Sequence, residues 1–70
     1  MIVGLLTETE KNQLVGQEYA PDSLFNPIQD IDDNWIISIE EMEFCINTLF
    51  DWVKNLPLII YNPKPLPPLH

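Results

Sequence analysis

Asp30-Ile31-Asp32-Asp33-Asn34-Trp35-Ile36-Ile37-Ser38-Ile39-Glu40-Glu41 is the stretch on which the fold turns. Its first half sets an Asp/Asn cluster between Ile28 and the apolar run Trp35-Ile36-Ile37. That pattern predicts a hairpin with Asn at a positive-φ turn position and two short strands flanking Asp32 to Asn34. Its second half fits a capping box, in which the Ser38 hydroxyl accepts from the backbone N–H of Glu41 and the Glu41 carboxylate reaches back to the N–H of Ser38. A helix of about two turns is expected there, with Ile39, Met42 and Ile46 spaced along one face and Glu40, Glu41 and Glu43 turned outward.

Downstream, Asn47 is placed to cap a further short helix in which Leu49, Trp52 and Val53 recur at helical spacing. Lys54 near its end complements the carboxyl-terminal partial charge, and Leu56-Pro57 stops it. Leu58-Ile59-Ile60-Tyr61 is β-branched, apolar and of strand length. Pro63, Pro65, Pro67 and Pro68 then predict an extended tail. Upstream, Thr7-Glu8-Thr9-Glu10 is another capping box, opening a helix that runs through Leu14 and Val15 to Gly16, which takes the left-handed conformation common just past a helix. Tyr19 to Pro27, interrupted by Pro21 and Pro27, reads as loop with a short extended piece.

The chain has 70 residues, 46% of them hydrophobic, with eleven acids against three lysines, no arginine and a formal charge of −8. A domain of this length buries only about 60% of the surface of its unfolded chain. That leaves little volume for a catalytic cleft, so no enzymatic activity is expected. The acidity removes the cationic footprint that phosphate backbones require, which argues against direct nucleic-acid binding. An acidic surface can instead imitate nucleic acid if its carboxylates form two parallel rows. Cys45 is the sole cysteine and His70 the sole histidine, so neither an internal disulfide nor a Cys/His zinc set is expected. Cys45 reads as a buried helix cysteine rather than a nucleophile. The apolar opening Met1 to Leu6 is too short for a signal sequence or a membrane span, pointing to a cytoplasmic protein.

Residues 30–41 also resemble the twelve-residue calcium loop of EF-hand proteins. Asp30, Asp32 and Asn34 match its first, third and fifth positions, Ile36 offers a carbonyl at the seventh, Ser38 stands at the ninth and Glu41 at the twelfth. The resemblance implies calcium as a cofactor where otherwise none is expected, with Asp30, Asp32, Asn34, Ser38 and Glu41 as ligands. Two departures weigh against it: Trp35 occupies the position where the loop needs glycine, and Asn26-Pro27 breaks the incoming helix.

Lys64-Pro65-Leu66-Pro67-Pro68-Leu69-His70 resembles a proline-rich SH3 ligand with an amino-terminal basic residue, His70 standing where the final proline would be. The plainer reading is a semi-rigid end or an arm docking on a neighbouring subunit. The seven aromatic residues are mostly core material. Trp35, Trp52 and Tyr61 are candidate interface anchors, with Lys64, Pro65, Leu66, Pro67 and Pro68 as the tail's contribution.

Leu5-Leu6-Thr7-Glu8, Gln13 to Ala20, Phe25 to Asp30, Asn34-Trp35, Ile37-Ser38, Glu40-Glu41 and Trp52 to Leu58 together resemble a group of short uncharacterised proteins from bacteriophage and Bacteroidota genomes. The resemblance spans most of residues 5 to 61 and implies a phage or prophage accessory protein, cytoplasmic in the host cell or virion-associated. The expectation is an α+β single domain over residues 1–62, with a β-hairpin and a short closing strand packed against two or three short helices, and a tail over 63–70. The expected occupation is docking on a larger protein, a virion component or host factor, or pairing as a homo-oligomer, with no membrane contact.

Overall fold

The opening run Ile2-Val3-Gly4-Leu5-Leu6 lacks the polar/apolar alternation of a half-exposed strand, and in the computed structural model, which describes residues 1–68, it is the strand covered on both faces. This strand, β1 (Ile2–Leu6), leads into α1 (Glu8–Leu14), β2 (Glu18–Ala20), β3 (Ser23–Leu24), β4 (Ile28–Gln29) and β5 (Trp35–Ser38). α2 (Ile39–Thr48), a 3₁₀ turn (Asp51–Asn55) and β6 (Leu58–Ile60) follow. Four strands form an antiparallel sheet in the order β4-β5-β1-β6, and β2 pairs with β3 in a separate hairpin. The architecture is α+β.

β1 pairs with β5 from Val3 opposite Ser38 to Leu6 opposite Trp35, and with β6 from Ile2 opposite Ile60 to Gly4 opposite Leu58. Because side chains alternate along a strand, Gly4 and Leu6 share one face of the sheet with Ile37. α2 lies there, so close that a Cβ on Gly4 would overlap Met42 Sδ. Leu6, Leu14, Phe25, Ile37, Met42, Cys45, Val53 and Leu56 make the core between sheet and helices. Tyr19, Phe25 and Phe44 close one side, with Tyr19 meeting each phenyl ring edge-on at 5.2 Å.

Both capping boxes are present, Thr7 with Glu10 and Ser38 with Glu41. Gly16 follows α1 with φ +85°. Other expectations are corrected. Tyr19 to Pro27 contains the β2–β3 hairpin, turned by Pro21 and by Asp22 at φ 64°. The positive-φ residue of the β4–β5 loop is Asp33, also at 64°, not Asn34. α2 does not stop before Asn47. It continues to Thr48 and ends where Leu49 and Phe50 both donate to the Cys45 carbonyl at 2.9 Å. The 3₁₀ turn has Phe50 before it and no side-chain cap.

The buried residues of α2 are Met42 and Cys45. Ile39 and Ile46 are each more than a third exposed. At about 100° per residue, Ile46 lies roughly 100° and Ile39 roughly 120° around the axis from Cys45, which places both on the flank rather than underneath.

Val3 and Ile36 are buried on the other face, outside the helix-side core. Tyr61, at the base of the tail, lies beside them with Met1 and Ile28. Past β6, Tyr61 N–H donates to the Met1 carbonyl (2.8 Å) and the Asn62 carbonyl accepts from Ile31 N–H (3.1 Å), just beyond β4. In a flat sheet β6 and β4 would lie about 14 Å apart at ~4.8 Å per strand. Here the β4–β5 loop and the tail meet over the face that α2 leaves free.

Candidate functional site

The β4–β5 loop, residues 30–34, is organised around one side chain. Asp30 is 2% exposed. Its Oδ1 accepts from the backbone N–H groups of Asp32 (2.9 Å) and Asn34 (3.0 Å), and Asn34 Nδ2 approaches Oδ2 at 3.5 Å. The main chain closes the same ring, Asp33 N–H donating to the Asp30 carbonyl and Asp30 N–H to the Asn34 carbonyl, each at 3.0 Å. A short Asx side chain bonded to the N–H two residues on is a local turn device. Here it gives a buried carboxylate charge-assisted partners from the loop itself.

The structure therefore brings Asp30, Asp32 and Asn34 together, but in a polarity opposite to that of a cation site. Asp32 and Asn34 present backbone N–H groups to the Asp30 carboxylate, and the donors' positive ends occupy the interior. Ser38 and Glu41 stand elsewhere. Four residues of extended chain at about 3.3 Å each put Ser38 roughly 13 Å from Asn34, at the far end of β5. There Glu41 Oε1 accepts from Ser38 N–H (3.2 Å) and Ser38 Oγ (3.0 Å), so its carboxylate serves the α2 cap. Among the described residues no group of three or more His, Cys, Asp or Glu lies close enough to hold a metal ion.

The loop has a second partner in the tail. Lys64 Nζ is 2.7 Å from Asp33 Oδ1 and 3.5 Å from Gln29 Oε1, and Gln29 Nε2 donates to the Asp33 carbonyl at 3.2 Å. The base of the tail is thus tied to the hairpin by a backbone bond at Asn62 and an exposed ion pair at Lys64. Beyond it Pro65, Leu66, Pro67 and Pro68 are exposed, Leu66 at 90%. Leu69 and His70, which complete the SH3-ligand pattern, lie outside the described residues.

The candidate aromatic anchors are each half-buried. Trp35 lies beneath Lys11, whose Nζ is 4.4 Å from a ring centroid. Trp52 stacks on Phe50 at 5.5 Å, and Tyr61 lines a cleft of about 140 Å³ with Val3, Ile28 and Ile36. Among the described residues the large apolar side chains left most exposed are aliphatic: Met1, Leu24, Leu58, Ile60 and Leu66. The sequence reading takes the aromatics as mostly core and names Trp35, Trp52 and Tyr61 as the ones that would serve as anchors if left outside. It passed over the signal in Leu58-Ile59-Ile60, a strand without a charge that has too few neighbours on one side to be covered.

An open groove of about 410 Å³ runs between β2 and the end of α2, lined by Tyr19, Phe44 and Leu49. Cys45 is fully buried, and burial, aided by the nearby Glu41 carboxylate, pushes its thiol up to about 11, so the thiol stays protonated at neutral pH. The carboxylates are distributed over α1, both hairpins, α2 and the 3₁₀ turn, with no element carrying more than three. No helix of the described residues is long and apolar enough to cross a membrane. No protein-family model, no curated protein and no solved structure matches this chain.

Proposed function

We propose that this chain is a small acidic, non-enzymatic interaction module that docks on a larger protein through its proline-rich arm, Pro65 to Pro68. The observation that carries this reading is the display of the arm on a fixed base. Lys64 is held against Asp33 while Leu66, two residues on, is 90% exposed. The molecule measures 44 × 27 × 22 Å with a radius of gyration of 12.8 Å, against about 11 Å for a compact chain of this length. A proline-rich segment has little conformational freedom left to lose, so a groove that accepts Leu66 and the flanking prolines gains their burial at small ordering cost.

The ion pair to Asp33 makes Lys64 the hinge of the arm rather than a free cation, so specificity falls on Leu66 and the pyrrolidine rings. The net charge of −8 favours a groove in basic surroundings, which steers encounter without adding much affinity. In the phage or prophage setting that the resemblance implies, the partner is a virion component or a host factor.

Affinity capture from the native host with three baits tests this reading: the full chain, Leu66→Asp, and a chain ending at Lys64. Proteins retained by the full chain and lost with both variants, at unchanged circular dichroism, support it. The same proteins on all three baits would overturn it.

A further inference from the structure

The open edge of β6 leads to a second reading that does not depend on the arm. Leu5 N–H donates to the Pro57 carbonyl and Tyr61 N–H to the Met1 carbonyl, both at 2.8 Å, and Val3 stands opposite Ile59. Residues 57, 59 and 61 therefore direct their backbone groups toward β1. By the alternation of an antiparallel ladder, Leu58 and Ile60 direct theirs to the unpaired edge. Pro57, which has no N–H, falls at an inward position, so the open edge loses no donor. On the α2 side of the sheet Leu58 is 57% exposed, Ile60 68% and their neighbour Ile2 53%. Proteins usually protect such an edge with charge, proline or a bulge, and β6 has none of these.

We propose that a second copy of this chain occupies this edge, with the two β6 strands pairing antiparallel about a two-fold axis at Ile59. In that register Leu58 and Ile60 exchange N–H and C=O groups with the partner's Ile60 and Leu58, and the two four-stranded sheets become one. Rows of side chains then run unbroken across the seam: Ile2, Ile60 and the partner's Leu58 on one side of the axis, and their symmetry mates on the other.

Charge selects this occupant. Residues 55–63 form the longest stretch without a charged side chain, and the lysines at either end are already paired, Lys54 with Asp51 at 2.8 Å and Lys64 with Asp33 at 2.7 Å. Every other strand edge and helix carries a carboxylate within it or beside it. A cationic protein is drawn to those surfaces, whereas among the strand edges and helices β6 is the one along which two copies at −8 each meet without opposing carboxylates. The strip is narrow. One strand edge and three aliphatic side chains fall short of the ~800 Å² per partner of a standard interface, so the pair is reversible, with a dissociation constant on the order of 100 µM.

Sedimentation velocity from about 10 µM to about 1 mM, spanning that constant, tests the proposal on the full chain, Ile60→Pro and Leu58→Lys. Ile60→Pro removes an outward N–H without touching a bond to β1, and Leu58→Lys sets an ammonium group into the apolar row. The expected result is a wild-type mass rising from 8.1 kDa toward twice that value with concentration, while each folded variant stays at 8.1 kDa. Amide exchange at Leu58 and Ile60 should slow as the wild-type concentration rises. Should Ile60→Pro fail to fold, Leu58→Lys decides the matter alone. A monomer at every concentration overturns the proposal and leaves the edge to a strand of another protein. A dimer unaffected by the substitutions places the contact elsewhere and overturns it equally.

Discussion

Asp30 shows how one side chain can specify a loop. Its carboxylate is buried, and its Oδ1 holds the backbone of both Asp32 and Asn34 in place. Removing a buried acceptor strands its donors, so Asp30→Ala should destabilise the fold by about 2–3 kcal/mol. Asp30→Asn keeps an acceptor oxygen but loses the charge, and about 1 kcal/mol is expected. Asp32→Ala, which removes an exposed carboxylate while leaving its N–H, should stay within about 0.5 kcal/mol. Urea denaturation of the three variants checks that order, and an Asp32 effect equal to that of Asp30 would refute the assignment. The Asp/Asn cluster was readable as a turn because these side chains compete for backbone donors. Which acid became the hub was not, since Asp30, Asp32 and Asp33 are chemically alike and only closure of the ring distinguishes them. The same ambiguity put the left-handed residue at Asn34 instead of Asp33, both types tolerating that conformation.

At the scale of elements, features confined to a few consecutive residues were legible and those requiring distant partners were not. The capping boxes at Thr7 and Ser38 lie three residues from their glutamates and form as the sequence predicts. Ser38→Ala should cost about 1–2 kcal/mol, because the Ser38 hydroxyl both accepts from Glu41 N–H and donates to its carboxylate at a partly buried site. Thr7→Ala, on an exposed and shorter helix, should cost about 0.5–1 kcal/mol. Thermal melts of both variants test the ranking, and equal losses would count against it. β1 was the largest omission. Its apolar run is measured in the sequence against the lengths of membrane and export segments, although a continuous run of five residues is how a strand covered on both faces reads. β2 and β3 are three and two residues long, below the length at which alternation can be recognised. The flank position of Ile39 and Ile46 was hidden because Ile39-Met42-Ile46 and Met42-Cys45-Leu49 have the same spacing, and only the close approach of Met42 to Gly4 decides between them.

For the whole molecule, charge is the dominant long-range term. Eleven acids against three lysines on one small body leave an excess of carboxylates that repel one another, and that repulsion opposes the compact state. The two ion pairs among the described residues are exposed and together contribute at most about 2 kcal/mol, which salt also weakens. Repulsion spread over the entire surface outweighs them, so raising sodium chloride from about 10 mM, where the Debye length is ~30 Å, to about 0.15 M, where it is ~8 Å, should raise the melting temperature. A gain of about 1 kcal/mol corresponds to roughly 4–8 °C in a domain of this size. A melting temperature that falls over this range would show that the pairs, not the repulsion, prevail.

β1 takes both of its neighbours from the second half of the chain, β5 at Trp35–Ser38 and β6 at Leu58–Ile60. A ribosome delivers it before either of them, and its ladder cannot be completed until β6 has been made. During translation its apolar residues have no sheet to join, and at about 5–20 residues per second they wait for seconds. Assembly is consequently a late, all-or-none event, and nascent fragments that stop short of Leu58 are the forms of this protein most dependent on chaperones.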